Sequence, residues 1–404
     1  MTRPDTDTEK KPMALYLHIP FCKRKCEYCD FLSFSTAGTA AQAEYCAALC
    51  REIAQAGMIY GGDFIINTVF IGGGTPSFIL PGHIEAITDA VNKAFEVAPD
   101  AEISMEMNPG TLDMHGGNAA LEVYRRSGIN RISIGLQTAD DRALKAIGRI
   151  HTFADFIRTY DMVRASGFDN VNIDLMSALP GQSYAGYMAS LEQTVGLKPE
   201  HLSCYSLILE EGTPLYERRD SLVLPDEDTE RKMYHDTVSV LKDAGYVHYE
   251  ISNFAWPGYE CRHNIAYWRR QDYLGLGLGA SSCVNEIRWK EPSDMESYIR
   301  LTKGKGSDAK EERGFPFRPY VEELQRLTEK DRMEETFFVG LRMMEGISTE
   351  AFRTAFGRTV SEVYGKLPEK LESEGLVTLR DGRIALTDYG VDVSNYVMAQ
   401  FLMD

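Results

Sequence analysis

The segment YLHIPFCKRKCEYCDF, Tyr16–Phe31, places three cysteines within eight positions directly behind a short apolar run. Three residues separate Cys22 from Cys26 and two separate Cys26 from Cys29. The apolar run "ALYLHI" reads as a buried strand, so the cysteines fall on the loop that leaves its C-terminal end. Working outward, the same pattern recurs. "NTVFIGG", "AEISMEMNP", "NRISIGLQ", "NVNIDLMSALPG" and "HLSCYSLILEEG" read as further buried parallel strands, rich in Ile, Val and Leu. Between them, "AEYCAALCREIAQAG", "HIEAITDAVNKAF", "LEVYRRSG" and "FADFIRTYDMVRASG" carry helical periodicity, and several end in glycine, a common helix stop.

Six consecutive βα units predict an α/β fold: a partial (β/α)6 barrel, with a doubly wound sheet as the alternative. The polar or Gly-rich turns "GGGTP", "EMNPG", "GLQT" and "LPGQ" follow strand C-terminal ends, the edge where barrel enzymes gather their sites. Expected boundaries are a tail over 1–13, the barrel with its extension over 14–300, a polar linker over 301–319 and a C-terminal domain over 320–404. In that last part, helices at 333–345, 348–356 and 360–375 lead into "LVTLRDGRIALT", whose Asp381-Gly382 pair signals a hairpin. Helices followed by such a hairpin read as a small winged-helix-like α+β domain.

With 44% hydrophobic and 25% charged residues over 404 positions, the chain is ordinary for a globular protein of two unequal domains. Its formal charge of -17 argues against nucleic-acid binding or an anionic membrane surface, since both need clustered positive charge. The N-terminus has no apolar core and no run is long enough to span a bilayer, so a cytoplasmic location is expected. There, eight cysteines are unlike a disulfide framework. Metal ligation or burial remain as their uses.

Two metal readings compete for the cysteine loop. Structural zinc wants four ligands, commonly two cysteine pairs. The remaining Cys46, Cys50, Cys204, Cys261 and Cys283 offer no evident second pair. Iron-sulfur clusters are held by thiolates, commonly four. Three would leave one iron open to a chelating cofactor such as S-adenosylmethionine. C-x3-C-x2-C after a first strand, with Tyr28 before the last cysteine, is the radical S-adenosylmethionine signature. Glycines at 72–74 allow close backbone approach to a ligand, or simply a tight turn. Glu106 ends the third strand, where a carboxylate can accept ribose hydroxyls, and Gln137, Arg149 and Asp174 lie at or just after strand ends. "YLGLGLG" has G-x-G-x-G spacing, so a dinucleotide-binding loop is rejected in favour of a closely packed strand.

Along nearly its whole length the chain resembles the oxygen-independent coproporphyrinogen oxidase family of radical S-adenosylmethionine proteins. The matching stretches are "YLHIPFC", "GGGTP", "EMNPG", "RISIGLQT", "IDLMSALPGQ", "YEISNFA", "YLGLGLGASS" and the C-terminal domain. Within that family it is most similar to the haem-chaperone branch. Phe31 stands where the oxidases carry a further cysteine, the arm before the first strand is short, and "HNIAYW", His263–Trp268, matches the H-N-x-x-Y-W motif associated with haem.

The resemblance implies a [4Fe-4S] cluster on Cys22, Cys26 and Cys29. It implies S-adenosylmethionine contacts from Tyr16, Tyr28, Gly73 and Glu106, and matches Gly74, Thr75, Gln137, Arg149 and Asp174 to positions that hold a second S-adenosylmethionine in the oxidases. It implies haem at His263, Asn264, Tyr267 and Trp268. An imidazole is a standard haem ligand and the aromatic rings offer apolar faces, while Arg262, Arg269 and Arg270 are candidates to meet propionates. The expected function is a haem chaperone that passes haem to an acceptor protein, with homodimerisation known in the branch. The alternatives are a radical decarboxylase acting on coproporphyrinogen III and a non-redox zinc module.

Overall fold

The computed structural model describes residues 10–35, 37–303 and 321–403. Its centre is one twelve-stranded sheet: β1 (Lys11–Ile19), β2 (Phe64–Gly73), β3 (Glu96–Met107), β4 (Arg131–Gln137), β5 (Val171–Ser177), β6 (His201–Ser206), β7 (Val247–Glu250), β8 (Asn253–Ala255), β9 (Tyr273–Leu276), β10 (Ser281–Val284), β11 (Ile287–Lys290) and β12 (Glu322–Arg326). Strands β1 to β6 run parallel in sequence order, each followed by at least one helix, which gives the six expected βα units. The sheet order begins at β12 and ends at β7, so the barrel stays open.

The strands are not apolar on both faces, as "Ile, Val and Leu-rich" implied. Inward positions alternate as polar groups: Tyr16 and His18, Glu102, Ser104 and Glu106, Arg131 and Ser133, Asn172 and Asp174, His201 and Ser203. Outward positions such as Leu15, Leu17, Met105, Ile132, Ile134, Ile173 and Leu175 are fully buried beneath the helices. The barrel is therefore a polar chamber in an apolar jacket.

Two further strand-forming segments fold back on themselves. "HYEISNFA" is the hairpin β7–β8, and "YLGLGLGASSCVNEI" runs through β9, a turn and β10 into β11. The turn needs Gly277 and Gly279, at φ 103° and 66°. β9 pairs parallel with β1, which makes this extension part of the barrel sheet.

Residues 304–320, most of the expected linker, lie outside the described residues, and Leu301 and Thr302 end the helix Met295–Thr302. β12, placed by sequence in the C-terminal domain, pairs with β11 as an edge of the large sheet. The C-terminal core itself gathers from Met333 onward around Phe337 and Phe401, whose rings stack with centroids 4.0 Å apart. It carries a three-stranded antiparallel sheet, β13 (Ile347–Ser348), β14 (Val377–Arg380) and β15 (Arg383–Leu386), in the order β13-β15-β14. Asp381 and Gly382 both adopt positive φ, as the hairpin turn requires. The helix expected over 360–375 is two, Val360–Tyr364 and Leu367–Ser373, because Gly365 sits at φ 60° and Pro368 starts the second. This domain docks on the barrel through Arg342 against Glu250 and through Glu335, which accepts from Arg270 and Arg288.

Candidate functional site

The loop after β1 carries all three cysteines to the C-terminal edge of the barrel. Cys22 is buried while Cys26 and Cys29 are partly open. Thr75 Oγ1 donates to Cys22 Sγ at 3.4 Å, and Arg149 Nη1 donates to Cys26 Sγ at 3.6 Å. Burial pushes the Cys22 thiol up and holds Cys29 at about 11, so proton release would accompany metal binding. Among the described residues no three His, Cys, Asp or Glu side chains are drawn together around a single ion. A cubane spreads its thiolates over separate corners, and three cysteines on one exposed loop, with two donors aimed at sulfur, fit that group.

The turn "GGGTP" is built against this loop. Gly74 N–H donates to Ile19 O and Thr75 N–H to Phe21 O, each at 2.8 Å. A Cβ on Gly74 would meet those same backbone atoms at 2.8 Å, so this glycine makes room for the cysteine loop itself. Gly73, at φ 110°, lies against the His18 ring and gives its N–H to Glu106 Oε2 at 2.9 Å. His18, which sequence reading passed over, clamps the loop from inside. One ring nitrogen meets Tyr16 Oη at 2.9 Å and the other Leu32 O at 2.8 Å.

Below the loop lies an inner chamber of about 360 Å³. Tyr16, Gly73, Glu106 and Asp174 line it, with Phe31 at its lip and His263, Asn264 and Tyr267 on its wall. Phe31 is 62% exposed. Burial and the nearby Asp174 raise Glu106 to about 8, and burial raises Asp174 as well. Beside the loop is a second, outer cleft of about 350 Å³, lined by Lys23, Arg24, Cys26, Thr75, Arg149 and His151 among others. The residues matched to a second S-adenosylmethionine are thus divided: Asp174 faces the chamber, Thr75 and Arg149 the cleft, while Gly74 and Gln137 line neither. Gln137 is buried at φ 65° beside a register shift in β4. Tyr28 packs partly buried against Ala143, Ile147, Met176 and Leu179.

"HNIAYW" lies on a short helix, Arg262–Trp268. Glu102 holds its start by accepting from Arg262 N–H at 3.0 Å and His263 N–H at 3.3 Å. His263 is buried with both ring nitrogens engaged, to Thr68 Oγ1 at 2.9 Å and Tyr267 Oη at 3.0 Å. Burial keeps it neutral, with a pKa near 3. Trp268 faces away from the chamber, with the Arg342 guanidinium 4.5 Å over its ring. The arginines expected to meet propionates are spent on carboxylates: Arg262 on Asp100, Arg269 on Glu345, Arg270 on Glu286 and Glu335. His151 was also missed. It is buried in the cleft wall with Nε2 lacking a partner among the described residues.

The open barrel with its cysteine loop defines a radical S-adenosylmethionine protein. Residues 16–193 match the model of the Radical SAM superfamily, and residues 327–393 that of the HemN C-terminal domain. The chain is 35% identical to the haem chaperone HemW of Lactococcus lactis, with 98% of each chain covered. It is 34% identical to HemW of Escherichia coli, over 97% of this chain and 99% of that one, and 33% identical to HemW of Bacillus subtilis, over 96% and 99%. The chain belongs to the HemW family of radical S-adenosylmethionine proteins. The solved structure of coproporphyrinogen III oxidase (HemN) from Escherichia coli shares the fold, with a TM-score of 0.81 at 22% identity over 98% of this chain and 91% of that one.

Proposed function

We propose that this protein is a haem chaperone that holds a [4Fe-4S] cluster and S-adenosylmethionine in the barrel, binds haem, and transfers it to an acceptor protein. The observation that carries the reading is the three-cysteine loop suspended over a polar chamber with Glu106 and Tyr16 at its upper edge. Cys22, Cys26 and Cys29 hold the cluster. With S-adenosylmethionine bound beside it, that cluster would supply one-electron chemistry. Gly73 N–H fixes the Glu106 carboxyl, which accepts the ribose hydroxyls, while His18 fixes the Tyr16 hydroxyl at the chamber wall. Tyr28 supports the loop from its apolar side. Thr75 and Arg149 donate to two of the sulfurs, those of Cys22 and Cys26.

Haem is assigned to the helix Arg262–Trp268, with His263 as the axial ligand once Tyr267 releases Nε2. Relatives of 33 to 35% identity over nearly the full length carry the chaperone name, which supports this reading over decarboxylation. Among the described residues no helix is long and apolar enough to cross a membrane; a cytoplasmic location is part of the proposal. A homodimer is part of the proposal.

The test is anaerobic. Reconstituted protein is loaded with haem and mixed with a haem-free acceptor, and transfer is followed by the acceptor's absorption spectrum. A parallel incubation with coproporphyrinogen III, a reductant and S-adenosylmethionine should give no protoporphyrinogen. Product at enzyme-like rates would sink the chaperone reading in favour of the decarboxylase.

A further inference from the structure

The chamber floor holds a buried cation whose Nε is unpartnered among the described residues. Arg131 opens β4, opposite Ser104 of β3, at the end of the barrel away from the cysteines. Its side chain is 2% exposed. Its Nε has no hydrogen-bond partner, and the guanidinium forms no ion pair with any described residue. Its neighbours are satisfied. Asn172 donates to Ser133 Oγ and Asp174 Oδ1, each at 2.8 Å; His201 bonds Asn172 Oδ1 and Tyr249 Oη; Glu102 is taken up by the start of the Arg262–Trp268 helix. Glu102 and Asp174 lie within electrostatic reach but outside bonding distance. A guanidinium carries five N–H donors, and a buried Nε–H left unmet costs free energy that a hydrogen-bond acceptor would recover. It is tolerable where a ligand completes it.

We propose that Arg131 anchors the carboxylate of an organic acid that reaches down the chamber from the Phe31 lip, a second ligand beside S-adenosylmethionine. The chamber is the right kind of place. A planar guanidinium fork takes a carboxylate through two parallel hydrogen bonds, while the Ser133 and Ser203 hydroxyls beside it already donate to Asp174 and Asn172. With Glu106 and Asp174 drawn toward their neutral forms by burial, the guanidinium is the charge that a ligand can answer. A volume of about 360 Å³ admits a small acid, or one carboxylate arm of a larger ligand. The proposal uses the S-adenosylmethionine reading only to name the chamber's other occupant.

The experiment compares wild type, Arg131→Gln and Arg131→Lys as full-length, cluster-reconstituted protein, with four probes: haem, haem dimethyl ester, glutarate and dimethyl glutarate. S-adenosylmethionine binding is measured separately on each. If a propionate arm is the ligand, haem binds about tenfold or more tighter than its ester to wild type, and that difference vanishes in Arg131→Gln and returns in part in Arg131→Lys. If a free acid is the ligand, glutarate and not its ester raises the melting temperature of wild type, again lost in Arg131→Gln. Ester and acid behaving alike on wild type overturns the proposal and needs no variant, so a misfolded Arg131→Gln does not shelter it. Loss of S-adenosylmethionine binding in Arg131→Gln with the carboxylate effects unchanged also overturns it, placing Arg131 in that cofactor's own site. Failure of the cluster to load in wild type, by contrast, counts against the proposed function and leaves the acid and ester comparison readable.

Discussion

The cysteine loop and the helix Arg262–Trp268 are both short, recognisable motifs, yet the fold treats their ligating groups in opposite ways. On the loop, Cys26 and Cys29 stand partly open, and Cys22 and Cys26 accept hydrogen bonds from Thr75 and Arg149. On the helix, His263 is sealed in, and both ring nitrogens are already spent on Thr68 and Tyr267. The loop leaves two of its thiols accessible. The helix would have to break a hydrogen bond before His263 could bind iron, a difference that suits the proposed pairing of a resident cofactor on the loop with a cargo that has to leave the helix.

The largest effect should come from the loop. Cys26→Ala is expected to abolish iron retention after anaerobic reconstitution, read by iron analysis and loss of the cluster's visible absorption. A full cluster on the variant would mean another of the free cysteines serves, and the contrast between the motifs would fall.

Next is Glu106, which sits between the regions. Glu106→Gln keeps the shape but replaces a carboxyl that accepts Gly73 N–H and, in our reading, ribose hydroxyls. Affinity for S-adenosylmethionine should fall about 10- to 100-fold, measured by equilibrium dialysis on loaded protein. The same residue gives a pH test of the cluster-free chain. Its folded-state pKa is raised from 4.5 to about 8. The folded protein therefore keeps a proton that the unfolded chain has lost, and stability should decline as pH rises from about 4.5 to about 8, by at most about 1.4 kcal/mol per unit from this group. Denaturant melts across that range should show a shallower decline for Glu106→Gln. Parallel curves would mean the chamber is wetter than its geometry implies.

How much of this was legible differs between the regions for physical reasons. The cysteine spacing and the six βα units are local patterns, and they survive translation into structure almost residue by residue. The inward register was also written in the chain, as the period-two polar series Glu102-Ser104-Glu106, Arg131-Ser133 and Asn172-Asp174, but apolar neighbours on the outer face masked it. Arg131 and His18 went unnoticed for that reason. The fate of Trp268, Arg269 and Arg270 was not legible at all. Their partners, Arg342, Glu345 and Glu335, lie in the C-terminal domain, and only the docking of that domain turns a haem-facing expectation into a domain interface.

The smallest expected effect is the sharpest test of the helix. If His263 is the haem ligand, the Tyr267 hydroxyl competes with iron for Nε2, and a hydrogen bond of this kind contributes roughly 0.5 to 1.5 kcal/mol net. Tyr267→Phe removes the competitor while keeping the ring that packs edge-on against His263 at 4.9 Å. Haem should then bind about fivefold tighter and leave more slowly for an acceptor, whereas His263→Ala should weaken binding and leave the cluster absorption intact. Tighter binding with slower release is a signature that a merely structural tyrosine would not give. Unchanged haem titration in both variants would move the ligand elsewhere, with the unpartnered Nε2 of His151 beside the cluster loop the next imidazole to substitute.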